Sequence, residues 1–294
     1  MNEAAIGRIR SFNRTVAERI GALEARFLGR ARPMGEARLL WEIGPGGADV
    51  RALRAKLGLD SAYVSRLLRS LERQRLVRVR VGAPDARVRR AELTKSGRAE
   101  RAELDRRSDA VARRMLEPLT AKQRSALVAA VAEVDRLLQA SMVEFAVEDP
   151  ATADAAWCVA QYFAELDARF ESGFDPALSI PAGVEALTPP SGALIIARLR
   201  GRPIGCGALK FHRRAPAELK RMWVSKSARG LGVGARLLDA LEQHAREAGA
   251  RTVRLETNRA LVEAIALYRR SGYVEVDAFN SEPYAHHWFE KRLR

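Results

Sequence analysis

The stretch Glu218-Leu219-Lys220-Arg221-Met222-Trp223-Val224-Ser225-Lys226-Ser227-Ala228-Arg229-Gly230-Leu231-Gly232-Val233-Gly234-Ala235-Arg236-Leu237-Leu238 decides the second half of the chain. An apolar strand runs into a glycine-rich loop, and a helix opens at that loop. Glycines let a backbone approach a phosphate closely. A helix N-terminus presents free N–H groups and a partial positive charge, to which Arg229 adds a full one. Together these make a pyrophosphate cradle. Gly230-Leu231-Gly232-Val233-Gly234 is not the Gly-x-Gly-x-x-Gly of a dinucleotide site, no acidic residue stands at the distance a ribose needs, and the Lys of a P-loop is missing.

Strands and helices mix on both sides of this stretch. Upstream, Val143–Val147 alternates as a strand, Thr152–Glu171 reads as an amphipathic helix, and Ala193–Leu199 and Ile204–Leu209 are strands joined by Arg200-Gly201-Arg202-Pro203. Downstream, Val233–Ala248 is a helix stopped by Gly249, Arg251–Glu256 a strand, Leu261–Ser271 a helix stopped by Gly272, and two strands follow.

The first 140 residues differ. They read almost entirely as helix with one interruption. A first helix carries Ile9, Phe12, Val16, Ile20, Leu23 and Phe27 on one face, and Gly35–Ile43 is a second helix closed by Gly44-Pro45-Gly46-Gly47. Asp49–Leu57, the tight turn Gly58-Leu59-Asp60 and the helix Ser61–Arg75 form a helix-turn-helix. The period then changes: Leu76-Val77-Arg78-Val79-Arg80-Val81 alternates apolar and basic residues, Gly82-Ala83-Pro84-Asp85 turns the chain, and Val88–Leu93 returns. Helices from Lys95 to Leu116 and from Ala121 to Ala140, the latter capped by Thr120, complete this half. The domain boundary is expected near residue 140, giving domains 1–140 and 141–294.

Composition bounds the partners. The 294 residues are about twice an average domain. Lys and Arg number 51 against 36 Asp and Glu, so a net charge of +15 points to a polyanionic partner. Two cysteines, Cys158 and Cys206, cannot make a disulfide framework and read as small buried hydrophobes. No run of about 18 apolar residues exists, so no membrane span is expected. The four histidines show no metal spacing, and no metal is expected. A cytoplasmic location is expected.

Between Ser61 and Arg90 nine basic residues face only Glu72 and Asp85. An excess of that kind, coincident with helix-turn-helix and hairpin, is a phosphate-binding footprint on double-stranded DNA. The exposed side of the second helix would supply Ser61, Tyr63, Ser65, Arg66 and Arg69. The first 140 residues resemble the MarR family of dimeric transcriptional regulators, most specifically in Pro84-Asp85-Ala86-Arg87-Val88-Arg89-Arg90-Ala91-Glu92-Leu93-Thr94-Lys95-Ser96-Gly97. The resemblance implies that Asp85 and Arg87 shape the wing, with Arg87 in the minor groove. It also implies a homodimer in which the first and last helices, Asn2–Leu28 and Ala121–Ala140, interlock.

Residues 141–294 resemble GNAT-family N-acetyltransferases. Arg229–Gly234 fits that family's (Gln/Arg)-x-x-Gly-x-(Gly/Ala) loop, and Leu255-Glu256-Thr257-Asn258 and Ala264–Tyr273 fit its next motif. The resemblance implies acetyl-CoA as co-substrate. It would lie on Met222, Trp223 and Val224 and on Arg229, Gly230, Leu231, Gly232, Val233 and Gly234, with Asn258 on the cofactor arm and Tyr268 near its sulfur. An amine must lose a proton to attack a thioester; Glu218 is the expected base, with Glu256 its rival, and Tyr268 the expected acid. Asp175 and Glu171, in the loop after the first helix of this half, could hold a cationic amine.

The expected fold is thus α+β in two domains: a mostly helical winged helix-turn-helix followed by an α/β acyl-CoA N-acyltransferase domain with a mixed, splayed central sheet. The whole resembles bacterial MarR–GNAT fusions. It implies a regulator that also acetylates an amine, small molecule or protein lysine, away from any membrane. An alternative is a regulator whose second domain only senses acetyl-CoA or a small molecule.

Overall fold

The computed structural model describes residues 2–21, 27–30, 32–81, 89–212 and 215–293, with Phe27 in its backbone only. Leu23, the Phe27 side chain, Asp85 and Arg87 therefore lie outside the described residues. The chain divides into two compact units, Met1–Val131 and Ala132–Arg294.

In the first unit α1 runs Glu3–Arg19, capped by Asn2. It stops short of the expected Phe27, because Gly21 takes a positive φ of 67° that a helix cannot continue through. Next come α2 (Met34–Ile43), a two-residue strand β1 (Ala48–Asp49), α3 (Val50–Leu57) and α4 (Ser61–Arg73). Asp49 and Asp60 cap α3 and α4 by accepting from the Ala52 and Tyr63 backbone N–H groups. The hairpin β2 (Val77–Val81) and β3 (Arg89–Leu93) pairs Val77 with Leu93 and Val81 with Arg89, and β1 adds to β3 as a third strand that periodicity did not reveal. Leu39, Leu40, Leu53, Leu68 and Leu71 are fully buried at the centre. Under the helices Arg32 links Glu36, Gln74 and Glu100, so the buried carboxylates are paired.

Helix α5 (Lys95–Leu116) begins at Thr94, and α6 spans Ala121–Ser141. Thr120 and Gln123 bond each other's backbone N–H in a capping box. Neither α1 nor α6 buries a residue. Ile9, Phe12, Leu127, Val128 and Val131 stand exposed.

The second unit is built on a seven-stranded sheet in the order β4-β5-β6-β7-β8-β10-β9. The strands are β4 (Val143–Glu148), β5 (Gly192–Leu199), β6 (Arg202–Lys210), β7 (Ala217–Val224), β8 (Thr252–Thr257), β9 (Val274–Val276) and β10 (His287–Arg292). All neighbours are antiparallel except β7 and β8. The turn from β5 to β6 is tight: Arg200 and Gly201, at φ 53° and 73°, form the primed geometry that matches strand twist. Helices α7 (Ala153–Arg169), α8 (Val233–Glu247) and α9 (Val262–Arg270) cover the sheet. Leu237, Leu238 and Leu241 of α8 pack on Leu209, Leu219 and Val253. A Cβ at Gly207 would meet Leu241 Cδ1 at 2.5 Å, so a glycine in β6 lets α8 lie close. Among the described residues no helix is long and apolar enough to cross a membrane.

Candidate functional site

Two features of β7 create the site. It pairs with β8 only at Ala217–Val253 and Glu218–Arg254, and then the two strands part. On its other edge Cys206 pairs with Trp223 and Ala208 with Lys220, so Arg221 and Met222 together oppose Gly207 in a bulge. Arg221 sits there at φ 55°, and its carbonyl accepts from Cys206 Sγ at 3.3 Å. A bulge leaves backbone out of the ladder at the place where the strands diverge. Sequence alone reads β7 as an unbroken strand, since no glycine marks the irregularity.

A groove of about 510 Å³ runs along this split. Met222, Trp223, Val224, Arg229, Gly230, Gly232, Val233 and Gly234 line it. Leu231 does not; it is buried beside Ala228 and Val233. Gly230 and Gly232 hold φ of 82° and 71°, and a Cβ on either would meet nothing, so the loop is open toward the groove. Helix α8 starts at Gly232 without a side-chain cap, leaving its first-turn N–H groups to a ligand. Arg229 Nη2 lies 2.6 and 2.7 Å from the Glu165 oxygens. The same carboxylate accepts from Trp223 Nε1 at 3.0 Å.

A second cavity, about 310 Å³, adjoins the groove and shares Tyr162, Leu166 and Leu261 with it. Phe163, Phe170, Phe174 and Tyr284 give it aromatic walls. Glu256 and Asn258 line it too, with Lys220, Arg221 and Glu282. Asn258 thus stands beside this cavity and not on the groove; its Nδ2 donates to the Tyr284 carbonyl at 2.7 Å. The loop after α7 does build the wall, through Phe170, Phe174 and Pro176. Its carboxylates do not: Glu171 is solvent-exposed and pairs with Arg259, and Asp175 caps the Ala177 backbone N–H.

In the first unit Ser61, Arg66 and Arg69 are exposed on α4, while Tyr63 and Ser65 are half-buried. Arg66 lies over the Tyr63 ring at 5.6 Å, and Arg69 Nε donates to the Ser65 carbonyl. Arg78 and Arg80 of β2 follow in the hairpin, both exposed. A basic, outward-facing second helix followed by a basic hairpin is the geometry that enters a major groove and flanks it.

Known proteins fit this arrangement. Residues 155–273 match the acetyltransferase (GNAT) family model and residues 31–88 the MarR family model. An IAA acetyltransferase of Azospirillum brasilense is 37% identical over 123 residues, 41% of this chain and 80% of that protein. The chain belongs to the GNAT acetyltransferase family. Its GNAT unit follows a MarR-family domain. An uncharacterized N-acetyltransferase of Schizosaccharomyces pombe is 30% identical over 137 residues, 45% of this chain and 79% of that protein. The solved structure of a GNAT-family acetyltransferase from Staphylococcus aureus is 16% identical, covering 52% of this chain and 99% of that one, with a TM-score of 0.44.

Within the GNAT unit the two expected bases are placed differently. Glu218 lines neither groove nor cavity. It is buried and accepts from Arg254 Nη2 at 2.7 Å, with Lys220 Nζ and His212 Nε2 at 3.6 and 3.4 Å. Burial pushes its carboxyl up, but Arg254, Lys220 and His212 outweigh this and hold it below the ordinary value. Glu256, on the cavity wall, is paired closely with Lys220 Nζ and accepts from Asn280 Nδ2 at 3.4 Å. The tyrosines divide likewise. Tyr268 is core, packed against Tyr273 and Phe289, and lines neither space. Tyr162, which in the sequence is one more aromatic on the apolar face of α7, stands where groove and cavity meet. Burial pushes its hydroxyl well above the ordinary range, so it stays protonated. Cys158 and Cys206 are both buried free thiols.

Proposed function

We propose that the GNAT unit transfers acetyl from acetyl-CoA to an amine, and that the MarR-family unit, in a homodimer, binds double-stranded DNA. The observation that carries the catalytic reading is the pair of adjoining spaces: an apolar groove ending on an uncapped helix N-terminus, joined through Tyr162 to a cavity that holds a carboxylate. The groove's fit to the cofactor rests on this chain's own groups. The N–H groups of Val233 and Gly234, with Arg229, suit a pyrophosphate, and the split between β7 and β8 suits an extended arm.

Acetyl-CoA supplies an acetyl thioester. The residues orient the reaction around it. Glu256 takes the proton of the attacking ammonium, directly or through water. The free amine nitrogen forms a C–N bond to the acetyl carbon as the C–S bond breaks. Backbone N–H groups at the β7 bulge stabilise the carbonyl oxygen as it gains charge. A tyrosine hydroxyl gives its proton to the departing sulfur and regains one from the nitrogen, which sheds its second proton as the amide forms. The products are the N-acetyl amine and the free thiol of CoA. Tyr268 is the residue the family resemblance implies, and Tyr162 is the tyrosine that lines both groove and cavity. Glu218 fixes Arg254 and Lys220 and is a positioning residue. In this reading the domains are 1–140 and 141–294, meeting near the end of α6 at Ser141 and not at the division between the compact units after Val131, and a cytoplasmic location suits a DNA-binding chain.

The homodimer reading is supported by the exposed apolar side chains of α1 and α6, which a single chain leaves uncovered. Thiol release from acetyl-CoA, measured against a panel of amines, tests the enzyme. Amine-dependent release supports it. Tight acetyl-CoA binding without release under every amine would mean that the unit is a sensor.

A further inference from the structure

The geometry points to a free α-amino acid with an apolar or aromatic side chain as the acetyl acceptor, its carboxylate held by Arg221. This inference deepens the proposed acetyltransferase reading and rests on it.

Four charged residues line the acceptor-side cavity: Lys220, Arg221, Glu256 and Glu282. Lys220 and Glu256 satisfy each other. The other two have no partner of opposite charge within 4.0 Å among the described residues. Glu282 accepts from Ser179 Oγ at 2.9 Å and from the Ile180 backbone N–H at 2.8 Å. Arg221 donates once, from Nη2 to the Ala182 carbonyl at 2.5 Å, and its guanidinium lies 5.0 Å from the centre of the Phe163 ring. Four of its five N–H donors are therefore left over.

A half-buried guanidinium without a counter-ion is unfavourable, since burial penalises the charge and no carboxylate repays it. Burial indeed lowers the Arg221 pKa, opposed only by Tyr162 and Cys206. A planar fork of this kind matches a carboxylate in two-point contact. Arg221 lines the cavity and not the groove, so the anion it awaits belongs to the acceptor and not to the cofactor.

The charge balance narrows the acceptor further. Two cations and two anions leave the cavity neutral, with one positive and one negative group unpaired. A zwitterion leaves that balance undisturbed while its carboxylate meets the unpaired Arg221; a polyamine or a dianion would upset it. An α-amino acid carries its amine one carbon from its carboxylate. That places the amine within the same cavity as Glu256, which stands on the neighbouring strand. Phe163, Phe170, Phe174 and Tyr284, in mutual ring contact, offer the apolar side chain its surface.

The test uses the full chain and calorimetric titration with L-phenylalanine, L-phenylalaninamide and phenethylamine, each with and without CoA, then steady-state kinetics with acetyl-CoA. The wild type should bind the free acid at least tenfold tighter than the amide or the amine. Arg221→Met should level the three while keeping its affinity for acetyl-CoA, which shows that it is folded. Arg221→Lys should restore part of the preference. The loss should fall on KM for the acid far more than on KM for the amide. Equal binding of acid and amide would overturn the inference. So would a preference that survives Arg221→Met, or no binding by a panel of phenylalanine, tyrosine, tryptophan, leucine and methionine at millimolar concentration. Failure of the acetyltransferase reading shows separately, as absent acetyl-CoA binding in folded wild type whatever the amino-acid titration gives.

Discussion

The Arg229 guanidinium rests on the Glu165 carboxylate, with Nη2 at 2.6 and 2.7 Å from its two oxygens. One residue belongs to the loop before α8 and the other to α7, so the pair bridges the mouth of the groove. A cofactor pyrophosphate would compete with Glu165 for this cation.

Glu165→Gln should therefore tighten acetyl-CoA binding. The pair is partly exposed, which limits its strength to about 1 kcal/mol, or about fivefold in affinity. Calorimetric titration reads the change. Weaker binding would mean that Glu165 serves the site chiefly by holding Trp223.

Glu256→Gln and Glu218→Gln should separate chemistry from support. A missing general base lowers kcat by about 10²–10⁴, and this reduction is expected for Glu256. Glu218→Gln should keep kcat within about tenfold while lowering stability by about 1–3 kcal/mol, because Arg254 loses the charged acceptor of its hydrogen bond. Thiol release and thermal melts measure the two effects.

The lowered pKa of Glu218 gives a pH signature. The folded state binds this proton less readily than the unfolded chain does. The stabilisation is fully present above the ordinary value of 4.5 and is lost as pH falls through the lowered folded value. Melting curves of the second unit should therefore weaken in acid, and Glu218→Gln should flatten that limb while leaving neutral behaviour less stable throughout.

Arg66→Ala and Arg69→Ala should each weaken DNA binding. An arginine that neutralises one phosphate contributes about 1 to the log–log salt slope, so each substitution should flatten the slope by about that amount. Binding measured across a salt series tests this; an unchanged slope would place both side chains off the phosphates.

Much of this architecture was written in local patterns. The change of period at Leu76 marked β2, and the glycines of 230–234 marked the groove and the start of α8, because both follow from short-range chemistry. What stayed hidden was long-range. Nothing local distinguishes Arg221 from its neighbours, since its bulge arises from the register between β6 and β7. Tyr162 and Glu282 come from distant segments, and only folding brings them to one cavity. Glu218 and Glu256 look equivalent as carboxylates on adjacent strands. They differ only in what each faces once the strands part. The α1 helix ended early because a glycine interrupted an apolar stripe that periodicity alone would have extended.

The most direct test is calorimetric titration of acetyl-CoA into the wild type and Arg229→Glu side by side. The account predicts one-to-one binding by the wild type, its loss in Arg229→Glu, and DNA binding unchanged in both. A folded wild type that does not bind acetyl-CoA, or an Arg229→Glu variant that binds it as tightly, would contradict the assignment of the groove.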